Sequence, residues 1–362
     1  MTNPIRCVAL FSGGLDACLA VRMMQQQGIE VHALNLTSPL IDPAPAQKAA
    51  NALGVPLTIA PLVPDYAQRL AAPRLGRLGL AGCCLDCRVA MLRAAKGYME
   101  ATGSAFVVTG EVLGQRPRTS RFDLEMVAIH AGLERQVVRP LSAQRLEPTL
   151  PEERGWLDRQ QLGKIVGKSR KVQQQLARQL EVTSIPPRPD CPLLAGSLAE
   201  RVAWTLRSGL PVEDWLLAAL RSGRRQELSA GSFLLMARNQ QENTLLQSAF
   251  AEYRKRVAIG GECFSGRIWL MEPVGVPGPV GLVVLGSGSP LVAALKEAAA
   301  VLRRRMRSAG QAGTWRLSGG TGQREWSWSD GEDGEVDALY EAVACVTTVR
   351  EEKTPSAGGY RL

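Results

Sequence analysis

The chain has 362 residues, 45% hydrophobic and 21% charged, which is the composition of a soluble globular protein with room for two or three domains. No run approaches the roughly 20 apolar residues of a membrane span, and residues 1–11 are too short and too polar for a signal peptide. We therefore expect a cytoplasmic protein with no membrane partner. The two histidines, His32 and His130, are too few to favour a histidine-based metal centre or a Ser-His-Asp triad.

Charge and cysteine content narrow the function classes further. The net charge is +9, from 43 Lys and Arg residues against 34 Asp and Glu. Excess positive charge favours a polyanionic partner such as RNA, although it can also serve solubility alone. The eight cysteines should stay reduced in a cytosolic chain, so a cluster of them indicates metal or sulfur chemistry rather than disulfides.

Strands and helices alternate through the first part of the chain. The predicted elements are a buried strand at 6–11, a helix at 15–27, a strand at 29–36, a helix at 44–53, a short strand at 56–61, a helix at 87–102 and a buried strand at 105–109. This alternation predicts an α/β fold with a doubly wound parallel sheet. Ligands of such sheets lie beyond the carboxyl ends of the strands.

The character of the chain changes after the first half. The elements predicted there are a basic helix at 162–179, a Pro-rich loop at 185–189, helical residues at 199–220 with a break near 209–211, strands at 232–237, 267–271 and 280–285, and a helix at 293–307. They predict a C-terminal α+β domain. We place the domains at 1–196 and 227–350, with a helical linker at 197–226 and a loose tail at 351–362.

A phosphate-binding loop is predicted where the first strand meets the first helix, at Ser12-Gly13-Gly14-Leu15-Asp16-Ala17. Glycines let the backbone approach phosphate oxygens, and the helix N-terminus offers free N–H groups and a positive dipole. Ser12 adds a hydroxyl donor, and Asp16 is useful there if it holds a Mg²⁺ that bridges phosphates. No Gly-Lys-Ser/Thr follows, so this is not a Walker loop. The ordinary alternative is a Gly-rich turn.

Three cysteines have a spacing that suits sulfur chemistry. Cys84 and Cys87 form a CxxC pair where a helix begins, and Cys191 lies in the Pro-rich region. Three thiolates leave one coordination position open, which suits an iron–sulfur cluster with one free iron that could hold a sulfide. The alternatives are catalytic cysteines that carry a persulfide, a zinc site, and a structural CxxC pair.

Further site candidates follow the ends of predicted strands. Leu36 ends the second strand, and Gly110, Gln115 and Arg116 follow the strand at 105–109, so we expect all four near bound ATP. Arg116 could neutralise phosphate charge as an adenylate forms. The ordinary alternative for Arg116 is a surface arginine.

The predicted helix at 162–179 carries uncompensated positive charge, from Lys164, Lys168, Arg170, Lys171 and Arg178. Such a run is often a solvated face, but five like charges without acids favour contact with an RNA backbone. Arg170 or Lys171 could instead face ATP.

The residues of the predicted phosphate loop also carry a family resemblance. Ser12 to Asp16 resembles the loop of the PP-loop ATP pyrophosphatases, which split ATP into AMP and pyrophosphate, usually by adenylating a carbonyl oxygen. That family normally has serine where this chain has Ala17. The resemblance implies a HUP/PP-loop, Rossmann-like fold with ATP and Mg²⁺ as cofactors.

Motifs over residues 5–200 resemble the tRNA thiouridylase-like branch of these proteins. They are Cys84-Leu85-Asp86-Cys87-Arg88, Met91-Leu92-Arg93-Ala94-Ala95-Lys96, Val108 to Pro117, Arg139-Pro140-Leu141-Ser142-Ala143 with Pro148-Thr149, Gly167-Lys168-Ser169-Arg170-Lys171, and Cys191-Pro192-Leu193-Leu194. Related enzymes use three cysteines for a 4Fe-4S cluster, which implies Cys84, Cys87 and Cys191 here and leaves Cys83 as a bystander. The glycines expected before the third cysteine are replaced by Pro189-Asp190.

The C-terminal region carries a second resemblance, over residues 228–305. Met236 to Leu245, Ile268-Trp269-Leu270 and Gly278 to Val284 resemble the NFACT-R RNA-binding domain of ribosome quality-control proteins. A docking or homodimer module is the alternative, because RNA binders are usually more basic.

These features together predict an ATP-dependent sulfurtransferase that acts on RNA, and tRNA is the expected class of substrate. The base carbonyl would attack the α-phosphate of ATP, and cluster-bound or persulfide sulfur would displace AMP. The sulfur donor would be sulfide or a persulfide carrier. A PP-loop amidotransferase is one alternative, although it has no use for the three cysteines. A non-catalytic RNA-binding protein that keeps the fold is another.

Overall fold

A computed structural model describes residues 4–63, 66–75, 83–182, 191, 193, 196–207, 212–258, 267–286, 288–306, 312–320 and 322–329. The chain divides into two compact units, Met1–Ala203 and Trp204–Leu362. The predicted Pro-rich loop at 185–189 and the tail at 351–362 lie outside the described residues.

The N-terminal unit is built on a five-stranded sheet in the order β3-β2-β1-β4-β5, and every pair in it is parallel. Its strands are β1 (Arg6–Leu10), β2 (Glu30–Thr37), β3 (Leu57–Pro61), β4 (Phe106–Thr109) and β5 (Val137–Val138). The strand order reverses at β1, so the crevice between the ends of β1 and β4 is where this class of sheet binds ligands. The predicted doubly wound α/β fold is confirmed.

Helices connect these strands. They are α1 (Leu15–Gln26), α2 (Ala44–Leu53), α3 (Tyr66–Ala71), α4 (Cys83–Thr102), α5 (Arg121–Ala131), α6 (Leu150–Glu153) and α7 (Lys171–Gln179). Helices α1, α2 and α4 were predicted from the sequence, α7 was predicted in part, and α3, α5 and α6 were not predicted. Helix α4 begins one turn before the predicted residue 87. Helix α5 was not predicted, although Ser120 and Asp123 form a capping box at its start.

A large part of the core of this unit lies between one face of the sheet and α1. Cys7 and Ala9 of β1, Leu19 and Met24 of α1, and Phe106 of β4 are all buried there. The apolar run of the first strand and the helical spacing of the next segment put these side chains on facing surfaces. Burial of each large side chain contributes about 1.5–3 kcal/mol, so the strand–turn–helix at the start of the chain is well anchored.

The predicted basic helix at 162–179 is wrong for its first half. Helix α7 begins only at Lys171, so Lys164, Lys168 and Arg170 precede it. The preceding segment is extended because its backbone pairs with 140–141 and Leu113. Its hydrogen bonds run from Gly163 N to Pro140 O at 2.7 Å, from Ile165 N to Leu141 O at 2.8 Å and from Gly167 N to Leu113 O at 2.8 Å. Gly163, Val166 and Gly167 are also poor helix formers, so local propensity and tertiary pairing both favour the extended backbone.

The C-terminal unit contains a six-stranded sheet in the order β11-β10-β8-β9-β7-β6, with antiparallel pairs throughout. Its strands are β6 (Arg224–Glu227), β7 (Phe233–Met236), β8 (Ile268–Val274), β9 (Gly281–Val284), β10 (Ala312–Ser318) and β11 (Gln323–Ser329). Its helices are α9 (Asp214–Arg221), α10 (Gln240–Ala258) and α11 (Leu291–Arg303), while α8 (Ser197–Arg207) crosses the boundary between the units. The predicted C-terminal α+β fold is confirmed. Across the described part of the chain, every helix is too short or too polar to traverse a lipid bilayer.

Candidate active site

The turn between β1 and α1 leaves the start of the helix open. Gly14 is the N-terminal cap with an extended backbone (φ −75°, ψ 163°), and no described side chain caps the helix. The Gly14 N–H donates to Ser12 Oγ at 3.3 Å, which folds the turn on itself. The first N–H groups of any α-helix have no intrahelical acceptor. Here they point with the positive helix dipole toward the carboxyl edge of the sheet, an arrangement that suits phosphate oxygens.

Two glycines allow the backbone packing on which this turn depends. Gly13 has φ +74°, and a Cβ there would lie 2.6 Å from Pro45 O. A Cβ on Gly110 would lie 2.6 Å from Ala17 N and 2.7 Å from the carbonyl carbon of Asp16. The chain leaving β4 therefore rests directly on the first turn of α1. This contact gives the predicted ATP-site residue Gly110 a concrete reason to be glycine.

Asp16 and Gln115 are joined although 99 residues separate them. The Gln115 Nε2 group donates to Asp16 Oδ2 at 3.0 Å, and Asp16 is half-buried in the first turn of α1. A carboxylate next to an anion-binding turn is suited to a cation, and Mg²⁺ is usually held by one or two carboxylates plus substrate phosphates. The residues present therefore fit Mg²⁺, with Asp16 as the residue that would hold it.

Strand β2 contributes Asn35, a residue that was not predicted from the sequence, beside the predicted residue Leu36. Leu36 is buried in β2 near its carboxyl end. Its neighbour Asn35 is also buried, and Asn35 Nδ2 donates to Phe11 O at 2.8 Å. This bond holds the end of β1 at the point where the phosphate turn begins. The signal in the sequence was an asparagine between two leucines in the apolar half of the strand.

A partly buried carboxylate, with 20% of its side chain exposed, fixes the loop that follows β4. Glu111 pairs with Arg139 at 3.0 Å and with Arg88 at 3.3 Å, and Thr109 Oγ1 donates to it at 3.2 Å. Burial raises the pKa of Glu111, but the two arginines and their hydrogen bonds outweigh burial and lower the pKa below its usual range. Because Arg88 lies on α4 and Arg139 follows β5, Glu111 locks the cysteine-bearing helix to the sheet edge.

The thiols of α4 are arranged around Cys83, not around Cys84. Cys83 and Cys87 are four residues apart and so share a helix face, and Cys83 is only 2% exposed. A hydrogen bond with Cys84 lowers the pKa of Cys83, but a hydrogen bond with Cys87, burial and the nearby Cys87 and Cys191 raise it to about 12. Cys83 therefore lies close to Cys84, Cys87 and Cys191, while the expectation that it is a bystander in the chemistry stays a prediction.

Cys84 and Cys87 have different neighbours. The hydrogen bond with Cys83 and then burial raise the pKa of Cys84, while the positive charges of Arg88 and Arg116 act in the opposite direction. Tyr66 of α3 forms a hydrogen bond with Cys87, and its pKa is raised first by burial and then by Cys87 and Cys191. Cys84 therefore lies on the side of Arg116.

The predicted cluster ligands do not fit a metal in this arrangement. Within the described residues, no three His, Cys, Asp or Glu side chains are placed to hold one metal ion. Cys84 has Cys83 and two arginines as electrostatic neighbours, whereas Cys191 is close to Cys83. The iron–sulfur cluster on Cys84, Cys87 and Cys191 therefore stays a prediction from the sequence, and no reaction step is derived through it.

The basic residues predicted to bind RNA lie in and before α7. Lys164, Lys168, Lys171 and Arg178 are exposed, and Arg170 is half-buried. Helix α7 packs against α1, the helix that begins at the phosphate turn. The exposed basic residues thus lie in and before a helix that contacts α1, where the ATP site is predicted. The RNA contact itself stays a prediction.

The residues that suggested an RNA-binding C-terminal domain have structural roles within that unit. Asn239 Oδ1 accepts the Glu242 N–H at 2.9 Å at the start of α10. Asn243 Nδ2 donates to Gly278 O at 3.2 Å, and its Oδ1 accepts the Val280 N–H at 2.9 Å. Arg238 pairs with Glu242. These bonds fasten α10 to the sheet and leave the resemblance to NFACT-R untested.

A protein-family match covers part of the N-terminal unit. Residues 4–145 match the ThiI family model. The description of that family is thiamine biosynthesis protein, and the match covers less than half of the chain. It includes the phosphate turn, the α4 cysteines, Gly110, Gln115 and Arg116, and it supports the resemblance to the PP-loop ATP pyrophosphatases over these residues. The C-terminal unit lies outside the ThiI match.

Solved structures with a similar chain path are distant in sequence. A predicted subunit of tRNA methyltransferase from Methanocaldococcus jannaschii has 15% identity over 48% of this chain and 76% of that chain, with a TM-score of 0.33. A 4-thiouridine synthetase in complex with RNA and bound ATP has 19% identity over 49% and 51%, with a TM-score of 0.32. An NAD⁺ synthetase from Burkholderia pseudomallei has 15% identity over 70% and 82%, with a TM-score of 0.27. The aligned part of this chain thus spans about half of the 4-thiouridine synthetase chain. Likeness at this level says nothing about function. No curated protein matches the sequence significantly.

Proposed function

We propose that this chain is an ATP-dependent RNA sulfurtransferase that adenylates a base carbonyl and replaces its oxygen with sulfur, releasing AMP and pyrophosphate. The observation that carries the proposal is the loop from Gln115 to Arg118. Gln115 donates to Asp16 of the phosphate turn, and the Arg118 carbonyl accepts a hydrogen bond from Arg88, which follows Cys87 on α4. One short loop thus connects an ATP-type turn with a group of thiols. The substrate class we expect is tRNA.

The first half-reaction uses the open end of α1. The helix N–H groups and Ser12 would bind the phosphates, and Asp16 would hold Mg²⁺, which offsets phosphate charge when bound. The base oxygen attacks the α-phosphorus, and pyrophosphate leaves. Arg116 stabilises the charge that develops on the phosphate. A carbonyl oxygen is a poor leaving group, whereas the adenylated oxygen leaves as AMP.

The second half-reaction uses the thiols around Cys83. A cysteine persulfide, loaded by transfer of the outer sulfur from a persulfide carrier, attacks the activated carbon through that outer sulfur, and AMP departs. A second thiolate then attacks the inner, cysteine sulfur, so the S–S bond to the base breaks. The thiolated base is released, and a cysteine disulfide remains, which an external dithiol must reduce.

The proposal is tested with the full chain, ATP, tRNA and a persulfide donor. We expect pyrophosphate release that depends on tRNA, and a thiolated nucleoside detected by mass spectrometry. Pyrophosphate without a thiolated nucleoside, but with an aminated one when ammonia replaces the donor, would make the chain an amidotransferase. RNA binding without any pyrophosphate would favour the non-catalytic alternative, for which the alanine at position 17 in place of the family serine is the specific observation.

Single replacements of the cysteines separate the persulfide path from a cluster. We expect Cys84→Ser, Cys87→Ser and Cys191→Ser each to abolish RNA thiolation, because each removes a nucleophilic sulfur. Cys83→Ser should also lower it, since this thiol contacts Cys84 and Cys87. Nucleoside mass spectrometry measures the product, and the wild-type protein should thiolate RNA without bound iron. If protein purified without oxygen carries about four irons per chain, and loses them in Cys84→Ala but not in Cys83→Ala, the cluster prediction is right.

The basic segment before and within α7 gives a prediction on RNA affinity. Replacing Lys164, Lys168 and Lys171 with glutamine should weaken tRNA binding and reduce its salt dependence, by roughly one unit of slope per lost phosphate contact. Filter binding at several salt concentrations measures the slope. Glutamine at Lys48 and Lys255, two lysines that are exposed elsewhere, is the matched control. An equal slope in both variants would make the segment an ordinary solvated surface.

The C-terminal unit is proposed as a second RNA contact, on its resemblance to NFACT-R. The same salt titration on Arg224→Gln and Arg324→Gln, which change basic residues of β6 and β11, tests it. A self-association measurement on the full chain tests the homodimer alternative.

A further inference from the structure

The loop between β4 and α5 is held in one conformation by its own hydrogen bonds. Gly114 N donates to Thr119 O at 2.9 Å, Arg116 N donates to Thr119 Oγ1 at 3.1 Å, and Thr119 Oγ1 donates to Arg116 O at 2.7 Å. Thr119 is buried beneath the loop. Arg118 has a left-handed backbone (φ +61°), and its carbonyl accepts a bond from Arg88 of α4. A non-glycine residue in this conformation is held there by its surroundings, which often marks a functional position.

An aromatic side chain projects into solvent directly after this loop. Phe122, at the start of α5, is 70% exposed, more than any other large hydrophobic residue of the described chain. The capping box of Ser120 and Asp123 fixes the backbone on either side of it. An exposed phenylalanine forgoes the gain from burial, and a rigid backbone orders the ring before any partner arrives. Both features suit a binding surface rather than a loose end.

The charges around Phe122 indicate the chemistry of its partner. Arg118 and Arg121 are exposed on either side of the capping residue, and Glu125 is the exposed acid one turn further along α5. Two cations beside an exposed ring are the elements of a single-strand nucleic-acid site, in which a base stacks on the aromatic face and phosphates meet the arginines. A purely apolar protein contact would not need the arginines. The next exposed apolar residue of α5, Ile129, is two turns away.

We propose that Phe122 stacks on an unpaired base of the substrate RNA and that Arg118 and Arg121 bind the phosphates that flank this base. The inference rests on the proposed function for the identity of the substrate as RNA. Arg88, which follows Cys87 on α4, donates to the Arg118 carbonyl, so a nucleotide held by Arg118 to Phe122 is bound next to the cysteine-bearing helix. Phe122 is a positioning residue in this scheme and does not touch the reacting atoms.

Stacking is tested with the full chain and a short single-stranded RNA that contains 2-aminopurine, whose fluorescence is quenched when it stacks. We expect Phe122→Ala to lose the quenching and to weaken binding by about 5- to 150-fold, the range for one lost base–aromatic stack. Phe122→Trp should keep both. Arg118→Gln and Arg121→Gln should each lower the salt slope by about one unit. Ile129→Ala, an exposed apolar truncation on the same helix, is the matched control. ATP binding without RNA and the melting temperature should be unchanged in all variants.

The outcomes distinguish this inference from the proposed function. If the wild-type chain binds the RNA and Phe122→Ala binds it equally with full quenching, the stacking site is wrong while the sulfurtransferase proposal stands. If the wild-type chain binds ATP but no RNA, both are wrong. If Phe122→Ala leaves RNA binding intact but abolishes self-association in sedimentation, the ring is part of a protein interface and the stacking site is wrong.

Discussion

Replacing Glu111 with alanine is expected to lower the free energy of unfolding by about 3 kcal/mol, the lower end of the cost of breaking a buried ion pair from one side, because 20% of the Glu111 side chain is exposed. The change leaves Arg139, which is 7% exposed, and Arg88 without the carboxylate they share. Urea unfolding of the full chain measures the effect. Glu125→Ala removes an exposed glutamate of the same unit and should stay within about 0.5 kcal/mol of the wild type.

The same carboxylate makes stability depend on pH. The pKa of Glu111 is lowered in the folded state, so between this pKa and the unfolded value of about 4.3 the unfolded chain binds more protons. The contribution of Glu111 is therefore complete above the unfolded pKa and is lost as pH falls through the folded pKa. Unfolding curves of wild type and Glu111→Gln should converge as the pH is lowered through this window. A constant difference down to the acid limit would contradict the sign.

Replacing Asp16 with asparagine is expected to reduce RNA-dependent pyrophosphate release by a factor on the order of 10²–10³, the usual effect of removing one electrostatic stabiliser from a catalytic site. Asparagine keeps the size of the side chain and an oxygen that can accept from Gln115, so the fold should be unaffected and the melting temperature unchanged. What is lost is the negative charge that would hold Mg²⁺. Pyrophosphate release under saturating ATP and Mg²⁺ is the measurement.

Gln115→Ala is the companion to this variant. It removes the 3.0 Å hydrogen bond to Asp16 and leaves the charge in place, so its rate should fall less than that of Asp16→Asn. A wild-type rate of pyrophosphate release in Asp16→Asn would contradict the assignment of Asp16 as the Mg²⁺ ligand. A larger loss for Gln115→Ala than for Asp16→Asn would show that Gln115 acts on ATP directly.

Local sequence patterns were sufficient to predict the part of the site whose residues are close together in the sequence. An apolar run, two glycines and a helical repeat are sufficient to predict β1, the phosphate turn and α1, because each depends on residues within a few positions of one another. The alternation of strands and helices likewise predicted the parallel sheet, and the rule for its carboxyl edge brought Gly110 and Gln115 to Asp16. The ThiI match covers these same residues.

Only the tertiary structure decided which distant groups meet. Glu111 joins Arg88 and Arg139, which lie 23 and 28 residues away, and no periodic pattern marks such a triad. Cys83 has no place in the CxxC spacing, yet a helix that begins at residue 83 turns it toward Cys87 and Cys191. The segment at 163–167 was predicted as part of a helix but pairs with 140–141 and Leu113. Backbone hydrogen bonds to distant strands cannot be read from neighbouring residues, so charge, spacing and propensity predicted the residues of this site but not their partners.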